Sequence, residues 1–278
     1  DAGGLDLVAL LRELPGIYDE PFGDSSAVPT LLLSRATRDH VKVALTGDGA
    51  DELLGGYLFW SRRYLEQAGV RLPAALRGPG PSRIAGRRGA LTRAYIGFRS
   101  YFDRRELKAL GVEGDDLARQ AAGRHTTGTV ADLLRFDAEG YLPGDILVKI
   151  DRASMSTGLE LRSPFLDREV AEFCLSLPDE LKVDDRREKL VLRRALEPMW
   201  EPAVRSRDKQ GFGSPFGAWL GESGVAGLVF ETLGRPGSRV FDLVDPAGVE
   251  PFVGEDGQAT WNLLMLALWA EDHPGARR

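Results

Sequence analysis

Apolar positions near the start of the chain recur at helical spacing. Leu5, Val8 and Leu11, with Leu14 closing the turn, predict a helix that Pro15-Gly16 stops. A polar, turn-rich loop follows from Asp19 to Ser26, and Pro29 to Arg38 reads as a helix with proline in its first turn. Val41-Lys42-Val43-Ala44-Leu45 is β-branched and apolar, which predicts a short buried strand. It runs into Thr46-Gly47-Asp48-Gly49-Ala50-Asp51-Glu52 and a helix over 51–67. Helix, strand, glycine turn and helix in that order point to a parallel α/β layer over residues 1–72. One strand cannot form a sheet, so its partners are expected from chain outside this sequence. Beyond it, helical patterns at 92–101, 103–110, 129–140, 144–157, 167–176, 187–198 and 260–270 make 73–278 mainly helical.

Composition narrows the classes. Of the 278 residues 43% are hydrophobic and 28% charged, ordinary values for a soluble globular protein. No run approaches the roughly 18 apolar residues that would span a membrane, and Asp-Ala-Gly-Gly-Leu-Asp at the start lacks the features of a secretory signal. Cys174, the single cysteine, sits in an apolar run and reads as a buried structural thiol in a cytoplasmic protein. His40, His125 and His273 are too far apart for zinc-ligand spacing. Arginines and breakers crowd residues 70–92, but no aromatic residues interleave with them, and the net charge of −6 also argues against nucleic acid.

Three segments could carry chemistry. In Thr46 to Tyr57, two glycines after a strand let backbone approach a ligand, and the next helix offers free amides to an anion. Asp48 and Asp51 would repel a bare phosphate there, whereas Mg²⁺ bridging Asp51 to phosphate oxygens resolves the conflict. Helix capping explains the same two residues without any ligand. In Tyr141 to Met155, Asp145 and Lys149 form an i,i+4 pair on a solvated, salt-bridged helix, yet Lys149, Asp151 and Arg152 interrupt an apolar segment. Lys189 and Arg193 share one face of the helix expected over 187–198 and could hold phosphate, or simply be surface charge.

Taken in order, Asp19 to Thr30, Leu45 to Tyr57, Tyr141 to Asp167, Glu188 to Ala195, Asp208 to Leu220 and Trp261 to Trp269 resemble the synthetase domain of class B, glutamine-hydrolysing asparagine synthetases. The resemblance covers nearly the whole chain. It implies an incomplete ATP-pyrophosphatase α/β fold (adenine nucleotide alpha hydrolase-like), a parallel sheet followed by a mostly helical extension. The implied reaction uses ATP and Mg²⁺ to adenylate the aspartate side-chain carboxylate, and ammonia then displaces AMP. By the same resemblance Asp51 is the Mg²⁺ ligand, Asp48 assists the attack of ammonia, and Lys189 stabilises pyrophosphate and the transition state. Leu45, Thr46, Gly47, Gly49, Lys149 and Arg152 fall on the nucleotide pocket, and a homodimer is implied.

Two departures qualify the resemblance. Position 1 is not cysteine and no glutaminase precedes the α/β part, so ammonia is expected from a glutaminase domain elsewhere. The Ser-Gly-Gly-x-Asp-Ser pyrophosphate loop of the family is not found, and Ala2-Gly3-Gly4-Leu5-Asp6-Leu7 only mimics it. A fragment is therefore expected, from truncation, a split gene or proteolysis, and inactive alone. The rival readings are a β-lactam or macrolactam synthetase, another amidotransferase, and a non-catalytic binding module. Acid rather than tyrosine at 48 favours external ammonia over an internal nucleophile.

Overall fold

The computed structural model describes residues 6–69, 90–112, 129–205 and 211–276. The expected boundary at 72/73, most of the basic stretch 70–92, the Ala2-Gly3-Gly4 mimic and Asp208 to Gln210 lie outside the described residues. What is described is mixed α/β, mostly helical, around one small parallel sheet.

Helix α1 (Leu7–Tyr18) opens on Asp6, whose carboxylate accepts the Ala9 amide at 3.0 Å. It does not stop at Pro15. The missing proline amide removes one helical hydrogen bond, but Leu10, Leu11, Leu14 and Tyr18 bury one face, and the helix ends only at Asp19, in a left-handed conformation with φ 60°. That face packs on α10 (Gln258–Asp272), whose Trp261 is fully buried. Helix α2 (Ala27–Arg38) adds Val28 and Leu31 to the same core.

Strand β1 (Val43–Leu45) has a partner inside the chain. It pairs in parallel with β2 (Glu160–Arg162), in the register Val43↔Glu160, Ala44↔Leu161 and Leu45↔Arg162. The sequence concealed β2 because Glu160 and Arg162 flank its one apolar residue. Nor is β1 buried. Val43 and Leu45 share a face with Glu160 and Arg162, and Leu45 is 73% exposed. Ala44 and Leu161 make the other, half-buried face.

The helix expected over 51–67 is two helices, α3 (Ala50–Leu54) and α4 (Leu58–Gln67), divided by Gly55 at φ 78°. Helices α5 (Ala90–Arg99) and α6 (Arg104–Ala109) follow, the latter opened by a capping box between Asp103 and Glu106. The two helices expected over 129–140 and 144–157 are one, α7. It runs as α-helix Val130–Phe136, π-helix Asp137–Ile146 and α-helix Leu147–Ser156. The wider π turns, as in the Leu147 amide bonded back to the Leu142 carbonyl, carry Pro143 through without a break. Helix α8 (Arg168–Ser176) buries Cys174, as expected, and α9 spans Leu190–Leu196. No described helix is long and apolar enough to cross a membrane.

Gly49, at the start of α3, has φ 91°, and a Cβ there would lie 2.3 Å from Leu166 Cδ2. Gly49→Ala should therefore cost about 1–3 kcal/mol. It should lower the urea midpoint with an unchanged slope. Gly47→Ala meets nothing within 4 Å and should stay within roughly 0.5 kcal/mol of wild type. Equal midpoints for the two variants would contradict this account of the turn.

Candidate active site

The parallel pairing continues one residue past each strand. The Thr46 amide donates to the Arg162 carbonyl at 2.9 Å, and the Thr46 and Ser163 hydroxyl oxygens stand 2.8 Å apart. The chain then turns through Gly47, Asp48 and Gly49 into α3. This turn forms one wall of a cavity of about 690 Å³. Opposite elements supply the remainder: Asp24 and Ser26 from the loop before α2, Thr30 and Ser34 from α2, Tyr57, then Arg99 and Tyr101 at the end of α5, and Tyr141, Ile146 and Lys149 from α7.

Asp51 lies on the cavity wall, and its Oδ1 accepts a hydrogen bond from Lys189 Nζ at 2.8 Å. A Cβ on Gly56 would fall 1.7 Å from that same oxygen, so glycine there leaves room for the Asp51 carboxylate. Lys189 is not on the helix face it was expected to share with Arg193. It precedes α9 with φ 55°, and this left-handed turn aims its side chain back across α3. Arg193 instead donates Nε to the Glu188 carbonyl.

A family model described as asparagine synthase matches residues 3–271. The chain belongs to the asparagine synthase family. A putative glutamine-hydrolysing asparagine synthetase of Mycobacterium tuberculosis is 34% identical over 95% of this chain and 44% of its own length. Glutamine-hydrolysing asparagine synthetase 1 of Bacillus subtilis is 31% identical over 76% of this chain and 37% of its own. The chain thus spans less than half the length of these relatives.

Family membership gives the cavity a frame, and six of the residues expected in an asparagine synthase site line it: Leu45, Thr46, Gly47, Asp48, Asp51 and Lys149. Lys189 reaches it through Asp51. Gly49 faces Leu166 instead, and Arg152 lines a second cavity of about 610 Å³ with Tyr18, Glu20 and Met155. Sequence reasoning passed over Asp24, Tyr57, Arg99 and Tyr141. Asp24, Tyr57 and Tyr141 stood within segments that matched the family but were given no role of their own, and Arg99 lies outside every motif.

The Asp145–Lys149 pair of a solvated helix is replaced by a buried cluster. Lys149 Nζ donates to Asp24 Oδ2 at 2.6 Å, and Asp24 also accepts the Ser26 amide and hydroxyl. Burial would raise the Asp24 carboxyl, but Lys149 and Ser26 together hold it below its ordinary value. Asp145 is left facing Asp24. Burial first, and then the Asp24 charge, push it up to about 7 against the opposing pull of Lys149. Because its pKa rises on folding, the folded state keeps this proton while the unfolded chain releases it near 3.8. Stability linked to Asp145 is therefore present below pH 4 and lost as pH climbs to about 7. Asp145→Asn should match the wild-type melting temperature near pH 4, exceed it increasingly up to about pH 7 and keep a constant margin up to pH 8. Parallel melting curves over that range would place Asp145 in water instead.

Proposed function

We propose that this chain is the synthetase part of a glutamine-dependent asparagine synthetase. The observation that carries the reading is the Asp51–Lys189 contact, which joins positions 138 apart in sequence on the wall of the one cavity that also holds Thr46, Gly47 and Asp48. The parallel pair β1–β2 then belongs to an ATP-pyrophosphatase sheet. ATP and aspartate share the cavity, a glutaminase domain provides ammonia, and the enzyme acts in the cytoplasm as a homodimer.

Asp51 would hold an Mg²⁺ ion together with phosphate and water oxygens. Among the described residues no group of three acidic, histidine or cysteine side chains could cage a metal alone. Mg²⁺ at Asp51 would neutralise charge on the leaving pyrophosphate. Lys189 adds a positive charge at the same place, where negative charge grows as the aspartate β-carboxylate attacks the α-phosphorus and the bond to pyrophosphate breaks. The product is β-aspartyl adenylate. Asp48, on the glycine turn and in no ion pair among the described residues, then accepts a proton from ammonia as nitrogen bonds to the β-carbonyl carbon and AMP departs.

Lys189→Ala in the intact enzyme should slow adenylation by about 10²–10³-fold and leave glutamine hydrolysis intact. Near-normal AMP formation would reduce Lys189 to a structural ion pair.

Asp48 and Asp51 separate by step. With ¹⁸O in the aspartate β-carboxylate, label reaches AMP only if the adenylate forms. Asp51→Asn should lose both labelled AMP and asparagine. Asp48→Ala should lose asparagine yet still pass label to AMP as the stranded adenylate hydrolyses. Identical behaviour of the two variants would refute this division of labour.

A further inference from the structure

Arg99, the last residue of α5, is held in an unusual way. Its guanidinium carbon lies 4.3 Å from the centre of the Tyr57 ring and 4.0 Å from that of Tyr141, and both rings line the main cavity with it. Tyr57 is itself fixed by its hydroxyl, which donates to the buried Glu52 carboxylate at 2.6 Å. Two aromatic contacts of this kind set the plane of a guanidinium, a group whose flat fork matches a carboxylate.

All of the hydrogen bonds that Arg99 makes with described residues leave from one nitrogen. Nη2 donates to Asp137 Oδ1 at 3.0 Å and to the Tyr95 hydroxyl at 3.1 Å. Asp137 is a one-ended partner, because its second oxygen is taken by the Tyr95 hydroxyl at 2.6 Å. Nε is shielded from solvent and has no acceptor among the described residues. A salt bridge built only to neutralise Asp137 would use two nitrogens of the fork, one for each carboxylate oxygen. Here a single nitrogen orients the group, and the other two donate to no described residue.

Among the described residues, the other cations at this cavity are Lys149, bound to Asp24, and Lys189, bound to Asp51. Asp48 also lines it, with no ion pair among the described residues, and repels an entering dicarboxylate. Such a substrate needs a fixed cation away from the turn that carries Asp48 and Asp51. Arg99 is that cation, borne on a different element and only 17% exposed.

We infer that Arg99, clamped by Tyr57 and Tyr141, binds the non-reacting carboxylate of the acceptor acid. The inference rests on the proposed function and adds to it the residue that selects a dicarboxylate over a monocarboxylate. The reacting carboxylate is thereby left to point toward the turn at Asp48, and an acid without the second carboxylate loses both affinity and orientation.

The test compares aspartate with 3-aminopropanoate, the same molecule without its α-carboxylate, as acceptors for the intact enzyme. Wild type should use aspartate 10–100-fold better in kcat/KM, the range expected when a charge-assisted hydrogen bond is lost. Arg99→Met should shrink that preference to about threefold or less without changing KM for MgATP. Because it strands Asp137, the double variant Arg99→Met/Asp137→Asn removes both charges and is measured beside it. Arg99→Lys, which keeps the charge but not the fork, should recover only part of the preference. A preference that survives in the folded double variant, or a fall shared equally by both acids, overturns the role of Arg99 alone. A wild type that amidates neither acid overturns the proposed function, and this inference with it.

Discussion

The parallel pairing of Val43, Ala44 and Leu45 with Glu160, Leu161 and Arg162 sets where every other part of the site can be. Its hydrogen bonds run on to Thr46, so the glycine turn leaves the sheet beside Ser163 and α3 begins at a fixed point. From there Asp48 and Asp51 reach the cavity. The register also explains the odd exposure of the strand. Val43 and Leu45 stand over Glu160 and Arg162, whose side chains pair with each other at 2.8 Å on that open face. Only Ala44 and Leu161 turn inward, and small or half-buried groups at the floor leave the cavity its width.

Charge inside the cavity is managed by pairing across elements that are distant in sequence. Asp24 meets Lys149, Asp51 meets Lys189, and Asp137 meets Arg99. Breaking one partner of a buried pair costs more than forming the pair returns, so these contacts hold the loop before α2, the turn into α3 and the end of α5 in one arrangement. The surplus acids are treated differently. Asp145 has no cation of its own and is pushed up to about 7, and burial lifts Asp137 to about 6 despite Arg99 and Tyr95. Glu52 is also raised by burial, with the Tyr57 hydroxyl opposing. Asp145 and Asp137 sit close enough to neutrality for a bound ligand to change their charge.

The π-helical stretch of α7 connects these two features. Asp137, Tyr141, Asp145 and Ile146 all lie within it. Asp137 and Tyr141, four residues apart, share the face presented to Arg99. The wider turns let proline sit at 143 without a break.

Family, the positions of several helices and half a dozen cavity residues were set by sequence alone. Thr46 to Tyr57 is local chemistry: glycines at the turn, a helix start behind them, and acids placed three residues apart. Amphipathic spacing was enough for α1, α2, α5, α6, α8 and α10, because burial of one helical face is a local pattern. Tertiary structure decided what spacing cannot express. A three-residue strand with charged ends has no periodic signal, so β2 appears only when β1 is beside it. Pro15 and Pro143 read as breaks, yet packing of α1 and the wider turns of α7 outweigh one lost hydrogen bond each. Lys149 finds Asp24 rather than Asp145, and Lys189 leaves its helix for Asp51, because a buried charge takes the partner that the fold brings nearest. Arg99 had no motif at all. Its place depends on Tyr57, Tyr141 and Asp137 converging from three separate segments, and that convergence exists only in the folded chain.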